Sequence, residues 1–206
     1  MIRYTQKVRN ILNFIDKYGF ITSKICANLF YKDNKYKLDM ARRTLNKLVN
    51  NKDIISNTGC FGKELIYQFN KNIVSEHRYA LLNLYSEINC IVNNIEYFKL
   101  EEQWLEGKRK SDAHIIISNI INGDEVFKSY LIEYDKYHKT DIKKYEEIYN
   151  SNEVQQWYLN RYEINNYFPI VMIVNYSGKV NQNSDNFNII ALDYDFTDLT
   201  HKILLD

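Results

Sequence analysis

The chain has 206 residues, of which 45% are hydrophobic and 15% aromatic, so it can bury one large core or two small ones. It contains no leader-like N-terminal segment and no run approaching the roughly 18 apolar residues of a membrane span, so we expect a soluble, cytoplasmic protein without a membrane partner. Its three cysteines form no CxxC pair, which argues against a disulfide framework and against structural zinc.

The net charge of +1 conceals an uneven distribution of charged residues. Residues 1–72 carry 14 Lys/Arg and 5 Asp/Glu, a net charge of +9, whereas residues 73–206 carry 13 and 21, a net charge of −8. A basic segment of this kind favours a polyanionic partner, although a solvated lysine surface would give the same count. The asymmetry predicts two parts with different partners.

Three helices are predicted within the first 50 residues. Apolar residues recur at helical spacing from Gln6 to Tyr18, and Gly19 suits the cap of that helix. Thr22 stands where an N-cap would begin a short second helix. The stretch "LDMARRTLNKLVN" predicts a third helix with one apolar face. The residues directed away from that face are Arg42, Arg43, Asn46 and Lys47.

The stretch "DIISNTGCFGKELIYQF" predicts a hairpin, because two apolar runs flank Gly59 and Gly62. Three helices and a hairpin resemble the bacterial winged helix-turn-helix proteins. The resemblance implies that the donors of the third helix contact the major groove of double-stranded DNA, while Lys63 in the wing contacts its backbone. A module of the same fold used for protein contacts is the alternative.

A fourth helix is predicted after Ser75, which can cap it. Its apolar stripe either packs against its own chain or pairs with a second copy to form a homodimer. The residues of the stripe are Leu81, Leu84, Tyr85, Ile88 and Ile91 or Val92.

Two strand-like runs, "AHIIIS" and "VFKSYLIEY", flank Asn122-Gly123, which is a strong signal for a two-residue hairpin turn. If these two residues are the whole loop, paired residue numbers sum to 245 and Asp112 lies opposite Glu133. Asp135 shares that face, because strand side chains alternate with period two. Converging carboxylates need a cation, a proton or a basic side chain, which is why this geometry is common at hard-metal sites.

The remaining sequence predicts an α/β layer. A helix in "TDIKKYEEIYN" and another from Glu153 to Asn165 precede two apolar strands, "FPIVMIVNY" and "FNIIALDYDF". This order resembles the restriction-endonuclease-like PD-(D/E)XK core. The whole chain resembles the replication-relaxation family of plasmid- and phage-associated proteins. The residues that match its C-terminal pattern are Asp112, Glu133, Asp135, Lys143 or Lys144, Tyr145 and Phe168-Pro169.

The chain also departs from the nuclease pattern. Ser111 stands in place of the motif's proline, and Asp135 stands where the catalytic lysine belongs, with Lys136 on the opposite face. A lysine from the following helix would have to replace it. The resemblance thus implies a catalytic set of Asp112, Glu133, Asp135 and Lys143, with Mg²⁺ on Asp112 and Glu133, only if the domain is a nuclease. Otherwise no cofactor is expected, and the acids are neutralised by Lys136, Lys143 or His114.

The predicted fold class is therefore α+β or α/β, with an N-terminal winged helix-turn-helix followed by a restriction-endonuclease-like domain. The predicted boundaries are 1–74 for the first domain, 75–94 for a connecting helix and 95–206 for the second domain. We expect a sequence-specific double-stranded DNA-binding protein of plasmid, phage or conjugative-element replication or transfer, with replication or relaxosome proteins as further partners. A transcriptional regulator and the Mg²⁺-dependent nuclease are the alternatives.

Overall fold

The chain folds as a mixed α+β protein, which confirms the predicted class at this coarse level. It divides into two compact units, Met1–Cys90 and Ile91–Asp206. Over the described residues it has seven helices and two β-sheets, none of the helices being long and apolar enough to cross a bilayer. The computed structural model describes residues 4–58, 64–121, 123–136 and 139–204.

The first unit consists of helices and a three-stranded antiparallel sheet, in which the strand order is β1-β3-β2. The three predicted helices and the two strands of the predicted hairpin are confirmed. In chain order the elements are α1 (Gln6–Tyr18), β1 (Ile21–Thr22), α2 (Ser23–Phe30), α3 (Lys37–Asn50), β2 (Ile55–Thr58), β3 (Leu65–Gln68) and α4 (Glu76–Ile91).

The ends of these helices are set by the predicted capping residues. Gly19 has a φ of 87°, a left-handed conformation that glycine adopts without strain, and ends α1. The Thr22 side chain accepts a hydrogen bond from a backbone N–H of α2 at 3.3 Å, and the Ser75 hydroxyl accepts one from the Arg78 N–H of α4 at 3.2 Å. Each cap satisfies a donor that the first helical turn leaves unpaired.

Helix α4 is built into the first unit by contacts with α2. The Asn28 side chain donates to Ser86 Oγ at 3.3 Å, Asn89 donates back to the Asn28 carbonyl at 2.8 Å, and Lys24 pairs with Glu87 at 2.8 Å. The predicted boundaries set this helix apart as a connector, whereas the compact unit extends to Cys90 and includes it. Its stripe is packed within the single chain, since Leu81, Leu84 and Ile88 are buried.

The second unit is organised around a five-stranded sheet of order β4-β5-β6-β7-β8. Strands β4 to β6 are antiparallel, and β6 to β8 are parallel. Strand β4 was not predicted, and α6 ends three residues before the predicted Asn165. The elements are β4 (Asn94–Trp104), β5 (Arg109–Ile121), β6 (Asp124–Asp135), α5 (Lys143–Asn150), α6 (Glu153–Tyr162), β7 (Ile170–Asn175), β8 (Ile189–Leu192) and α7 (Leu199–Leu204).

The β5–β6 register agrees with the pairing predicted for a two-residue turn. Ile121 pairs with Asp124, and the pairing continues without a shift to Ala113 and Ile132, so that every pair sums to 245. Asn122 of the predicted turn lies outside the described residues.

One face of the sheet packs against α5 and α6 to form the core of the second unit. The apolar positions of these helices recur at helical spacing, so each helix turns a single face to the sheet. The residues of this core are Trp104, Ile116, Leu131, Ile142, Tyr145, Ile148, Val154, Tyr158, Val171, Ile173 and Phe187.

Candidate functional site

The outer face of α3 carries the polar side chains predicted for it. Ala41, Leu45 and Leu48 are buried and define the inner face of the helix. The helical period of 3.6 residues turns the positions between them outward. Four side chains are accordingly exposed, namely Arg42, Arg43, Asn46 and Lys47.

Exposed apolar side chains extend this face towards the start of α3. Tyr36 is 63% exposed and Met40 is 36% exposed. With Arg43 and Lys47 they recur at intervals of four, three and four residues, which aligns them along one side of the helix. We call these four residues the α3 row. The row presents a ring, a thioether and two cations to solvent.

Among the described residues, some basic residues of the first unit form hydrogen bonds or ion pairs within the unit, and others do not. Lys37 Nζ donates to a buried side-chain amide at 2.8 Å, and Lys24 pairs with Glu87 at 2.8 Å. Within the described part of the chain, no ion pair holds Arg43 or Lys47. The cations of the α3 row are therefore available to an external anion.

The remaining predicted residues of this surface have weaker contacts. Arg42 Nη1 lies 3.9 Å from Asp39 Oδ1, and both side chains are more than half exposed. Asn46 Oδ1 accepts a hydrogen bond from the Tyr67 hydroxyl at 3.4 Å, which links α3 to the hairpin strand β3. Lys63, predicted to contact the DNA backbone, lies outside the described residues.

The three predicted acids lie at neighbouring strand ends in the second unit. The β5–β6 register, continued by one pair, sets Asp112 opposite Glu133. Asp112 Oδ2 accepts a hydrogen bond from the Tyr134 N–H at 2.8 Å, which ties the two strand ends together. Glu133 and Asp135 pair with β7 on the other side of β6.

Glu133 is buried, and its carboxylate is surrounded by groups of its own chain. Its Oε1 atom accepts a hydrogen bond from the Tyr145 hydroxyl at 2.5 Å and lies 2.7 Å from Lys144 Nζ. Its Oε2 atom lies 3.4 Å from the Thr140 hydroxyl. Lys144 also donates to the Lys110 carbonyl at 3.0 Å, which holds it across the end of β5.

The lysine at Glu133 is Lys144, and the adjacent Lys143 is exposed. A signal for this choice is present in the sequence. Ile142, Tyr145 and Ile148 form the apolar side of α5, and at about 100° per residue Lys144 falls at its border while Lys143 falls opposite it. Helical periodicity alone could therefore have separated the two lysines.

Asp135 is engaged by Thr140, a residue that sequence reasoning did not single out. The Thr140 hydroxyl donates to Asp135 Oδ1 at 2.5 Å, and the Thr140 N–H donates to Oδ2 at 2.8 Å. Both carboxylate oxygens thus bind the segment that leads into α5. Lys136, predicted as a neutralising neighbour of the acids, is exposed.

Burial controls the ionisation of this cluster. It raises the pKa of Glu133, and the charge of Asp112 raises it further, whereas Lys144 and the Tyr145 hydroxyl oppose the rise. Burial likewise raises the pKa of Tyr145 well above its usual range, so that its phenol remains a hydrogen-bond donor. The negative charge of the cluster is therefore offset in two ways, by the Lys144 cation and by a raised pKa that favours the protonated form of Glu133.

The carboxylates of this cluster accept hydrogen bonds from groups of the protein. Hydrogen bonds from the protein reach Asp112 on Oδ2, Glu133 on Oε1 and Asp135 on both carboxylate oxygens. Across the described residues, no group of three or more His, Cys, Asp or Glu side chains has the arrangement of a metal site. The predicted convergence is thus a network of internal partners in this structure.

His114 belongs to a second buried network, centred on Glu102 of β4. Its Nε2 atom lies 2.7 Å from the Tyr158 hydroxyl, and its Nδ1 atom lies 3.6 Å from Glu102, beyond hydrogen-bond distance. Glu102 accepts hydrogen bonds from Tyr97 at 2.6 Å and Lys99 at 2.7 Å. Among the described residues, the polar contacts of His114 are with Tyr158, Ser129 and Glu102, so its predicted role as neutraliser of the Asp112 cluster stays a prediction.

The Glu102 carboxylate is held ionised. Burial alone would raise its pKa, but contacts with His114, Lys99 and Tyr97 lower the pKa to about 2. Burial lowers the pKa of His114, so this imidazole remains neutral. Sequence reasoning missed Glu102 because it lies on β4, the strand that was not predicted.

Comparison of the chain with protein-family models, with curated proteins and with solved structures gave no significant match. The resemblance to the replication-relaxation family therefore stays a prediction from the residues.

Proposed function

We propose that the first unit binds double-stranded DNA through α3. The observation that carries the proposal is the α3 row beside Arg42 and Asn46. Guanidinium and amide groups form paired hydrogen bonds with guanine and adenine edges, and apolar side chains contact the thymine methyl group. A row of this composition on one exposed helix face suits the major groove, which is wide enough to admit a helix.

The order of elements around α3 supports this assignment. Helices α2 and α3 are joined by a short turn, and the β2–β3 hairpin follows, with β1 completing the sheet. This is the order expected of a winged helix, in which the second helix of the pair enters the groove. The charge agrees as well, since residues 1–72 carry 14 Lys/Arg and 5 Asp/Glu.

For the whole chain we propose a role in plasmid, phage or conjugative-element replication or transfer, which rests on the family resemblance alone. A transcriptional regulator with the same DNA-binding unit is the second candidate. Footprinting on the DNA that flanks the gene separates the two. Protection of an origin supports replication or transfer, and protection of a promoter alone supports regulation.

DNA binding itself is tested by removing the two cations of the α3 row. We expect Arg43→Ala combined with Lys47→Ala to lower the affinity for duplex DNA at least tenfold, because each lost phosphate or base contact weakens the complex. The matched control is Lys17→Ala with Arg78→Ala, which removes the same charges from exposed positions on α1 and α4. Equal affinities of the two double variants would contradict the assignment of α3.

For the acidic cluster of the second unit we propose a structural role. Its carboxylates are satisfied by Lys144, Tyr145, Thr140 and the backbone. Addition of Mg²⁺ should leave the melting temperature unchanged, because an ion that bound only the native state would raise it. DNA cleavage that requires Mg²⁺ and disappears in Glu133→Gln would overturn this proposal in favour of a nuclease.

A further inference from the structure

The second unit contains a cavity at the carboxyl ends of β6 and β7. The cavity has a volume of about 420 Å³ and is lined by segments that follow β6, β7 and β8. Strands β6 and β7 are parallel, and the carboxyl ends of parallel strands are the usual ligand-binding edge of an open α/β sheet. The volume falls within the range of pockets for small molecules.

The lining is positively charged although the unit around it is acidic. Residues 91–206 carry 12 Lys/Arg and 19 Asp/Glu. Among the described residues, the cavity is nevertheless lined by Lys136, Lys139 and Lys179, and by Asp135 as the single acid. Asp135 is already bound on both carboxylate oxygens by Thr140, at 2.5 and 2.8 Å. The cavity is therefore suited to an anion.

Two tyrosines give the cavity an aromatic wall. Tyr176 is 87% exposed, and its ring centroid lies 6.4 Å from that of Tyr194. Tyr194 is fixed in turn, since its hydroxyl donates to the Asp135 carbonyl at 2.7 Å and its ring lies 5.3 Å from that of Tyr134. The exposed ring of Tyr176 offers a planar ligand a surface on which to stack.

The turn that carries Tyr176 and Lys179 is fixed by its own hydrogen bonds. The Asn175 side chain accepts from the Ser177 N–H at 3.0 Å and donates to the Lys179 carbonyl at 2.9 Å. Gly178 has a φ of 62°, and a Cβ atom at this position would lie 3.1 Å from the Asp193 N atom. The turn is thus held in shape before any ligand binds, which lowers the entropic cost of binding.

A polar atom on the cavity wall completes the pattern. Gln182 lines the cavity, and its Oε1 atom is buried without a hydrogen-bond partner among the described residues. A buried acceptor left unpaired is costly, so a ligand donor that reached this atom would be favourable. Ring amino and imino groups of nucleobases are donors of this kind.

We propose that this cavity binds a nucleotide, with the base stacked on Tyr176 and the phosphate bound by Lys139 and Lys179. The same chemistry is offered by a free nucleotide and by the end of a single strand of nucleic acid. The site is separate from α3, so it does not depend on duplex binding by the first unit. Together with the duplex binding proposed for α3, on which this last step rests, the site would add recognition of an unpaired nucleotide.

The proposal is tested by equilibrium binding of the full chain to two fluorescent probes, N-methylanthraniloyl-ATP and a labelled eight-residue oligothymidylate. All measurements use the Arg43→Ala/Lys47→Ala background, which removes the α3 contribution. We expect at least one probe to bind, with a tenfold or greater loss of affinity in Tyr176→Ala and in Lys179→Ala. Tyr176→Phe should retain binding, since it keeps the ring. Lys108→Ala, which removes one exposed charge outside the cavity, is the control.

The two probes distinguish the sources of the ligand. A preference of at least tenfold for the oligonucleotide identifies a single strand, and equal or tighter binding of the labelled ATP identifies a free nucleotide. Either result supports the site. Failure of both probes to bind at millimolar concentration, or binding that Tyr176→Ala and Lys179→Ala leave unchanged, overturns it. Loss of duplex binding in the α3 variant alone tests the proposed function and not this cavity.

Discussion

The charged residues of α3 and those around Glu133 have different surroundings. The Arg42 side chain is 57% exposed, and its paired acid lies 3.9 Å away. The Glu133 side chain is 7% exposed, and its paired lysine lies 2.7 Å away. An exposed ion pair contributes about 0 to 1 kcal/mol, whereas breaking a buried pair costs about 3 to 5 kcal/mol. Substitutions on α3 should therefore change the affinity for a ligand, and substitutions around Glu133 should change the stability of the fold.

The largest effect is expected at Lys144, where the comparison can be made between adjacent lysines. At a pH where Glu133 is ionised, Lys144→Met leaves that buried charge without its cation and should lower the free energy of unfolding by about 3 kcal/mol. Lys143→Met should change it by less than about 0.5 kcal/mol, because that side chain is exposed. Urea denaturation of both variants measures the difference. Equal stabilities would mean that the Lys144 pair contributes nothing.

In the second buried network, the charge of Glu102 should also stabilise the folded state. Its pKa is lowered from 4.5 to about 2, so its charge stabilises the folded state above pH 4.5, and that stability is lost as the pH falls towards 2. Glu102→Gln should cost about 2 kcal/mol at pH 7, a value reduced from the full shift because Lys99 is half exposed. The cost should shrink at pH 3. A pH-independent cost would show that packing, and not charge, is responsible.

A substitution of Arg42 on the exposed face of α3 should change DNA binding without changing the stability of the fold. Arg42→Ala should weaken duplex binding by about 1 to 3 kcal/mol if the side chain reads a base, or lower the slope of log K against log salt by about one if it binds a phosphate. The melting temperature should change little, because the side chain is exposed. Binding titrations at several salt concentrations separate the two roles. A variant with unchanged affinity and unchanged slope would remove Arg42 from the interface.

The smallest effect is expected for Glu133→Gln, which removes a charge but keeps the shape of the side chain. The pKa of Glu133 is raised by burial, so the folded wild type loses stability as the pH rises through that pKa. The variant should therefore become more stable relative to the wild type as the pH is raised from 4.5 to about 8. Thermal melts across this range measure the gain. A constant difference would indicate that the pKa of Glu133 is the same in the folded and unfolded states.

The pairing of β5 with β6 in the second unit could be predicted from residues close together in the sequence. The Asn122-Gly123 dipeptide selected a two-residue turn, and the strand period of two then fixed which residues face each other, as the observed pairing from Ile121–Asp124 to Ala113–Ile132 confirms. Strand β4 escaped prediction, because its residues alternate in polarity less regularly and its buried polar residue, Glu102, does not look like a core residue.

The sequence by itself determined the caps, the helical faces and the hairpin register, because each depends on residues a few positions apart. Gly19, Thr22 and Ser75 are examples, as is the exposed face of α3. Helical periodicity separates Lys144 from Lys143, but only the tertiary structure decided that Lys144, Tyr145 and Thr140 meet at Glu133, since helix α5 and the loop before it are positioned by packing against the sheet. The cavity beside Tyr176 arises in the same way, from segments after three different strands. Contacts between residues distant in the chain are fixed by the free energy of the whole core, which no short window of sequence contains.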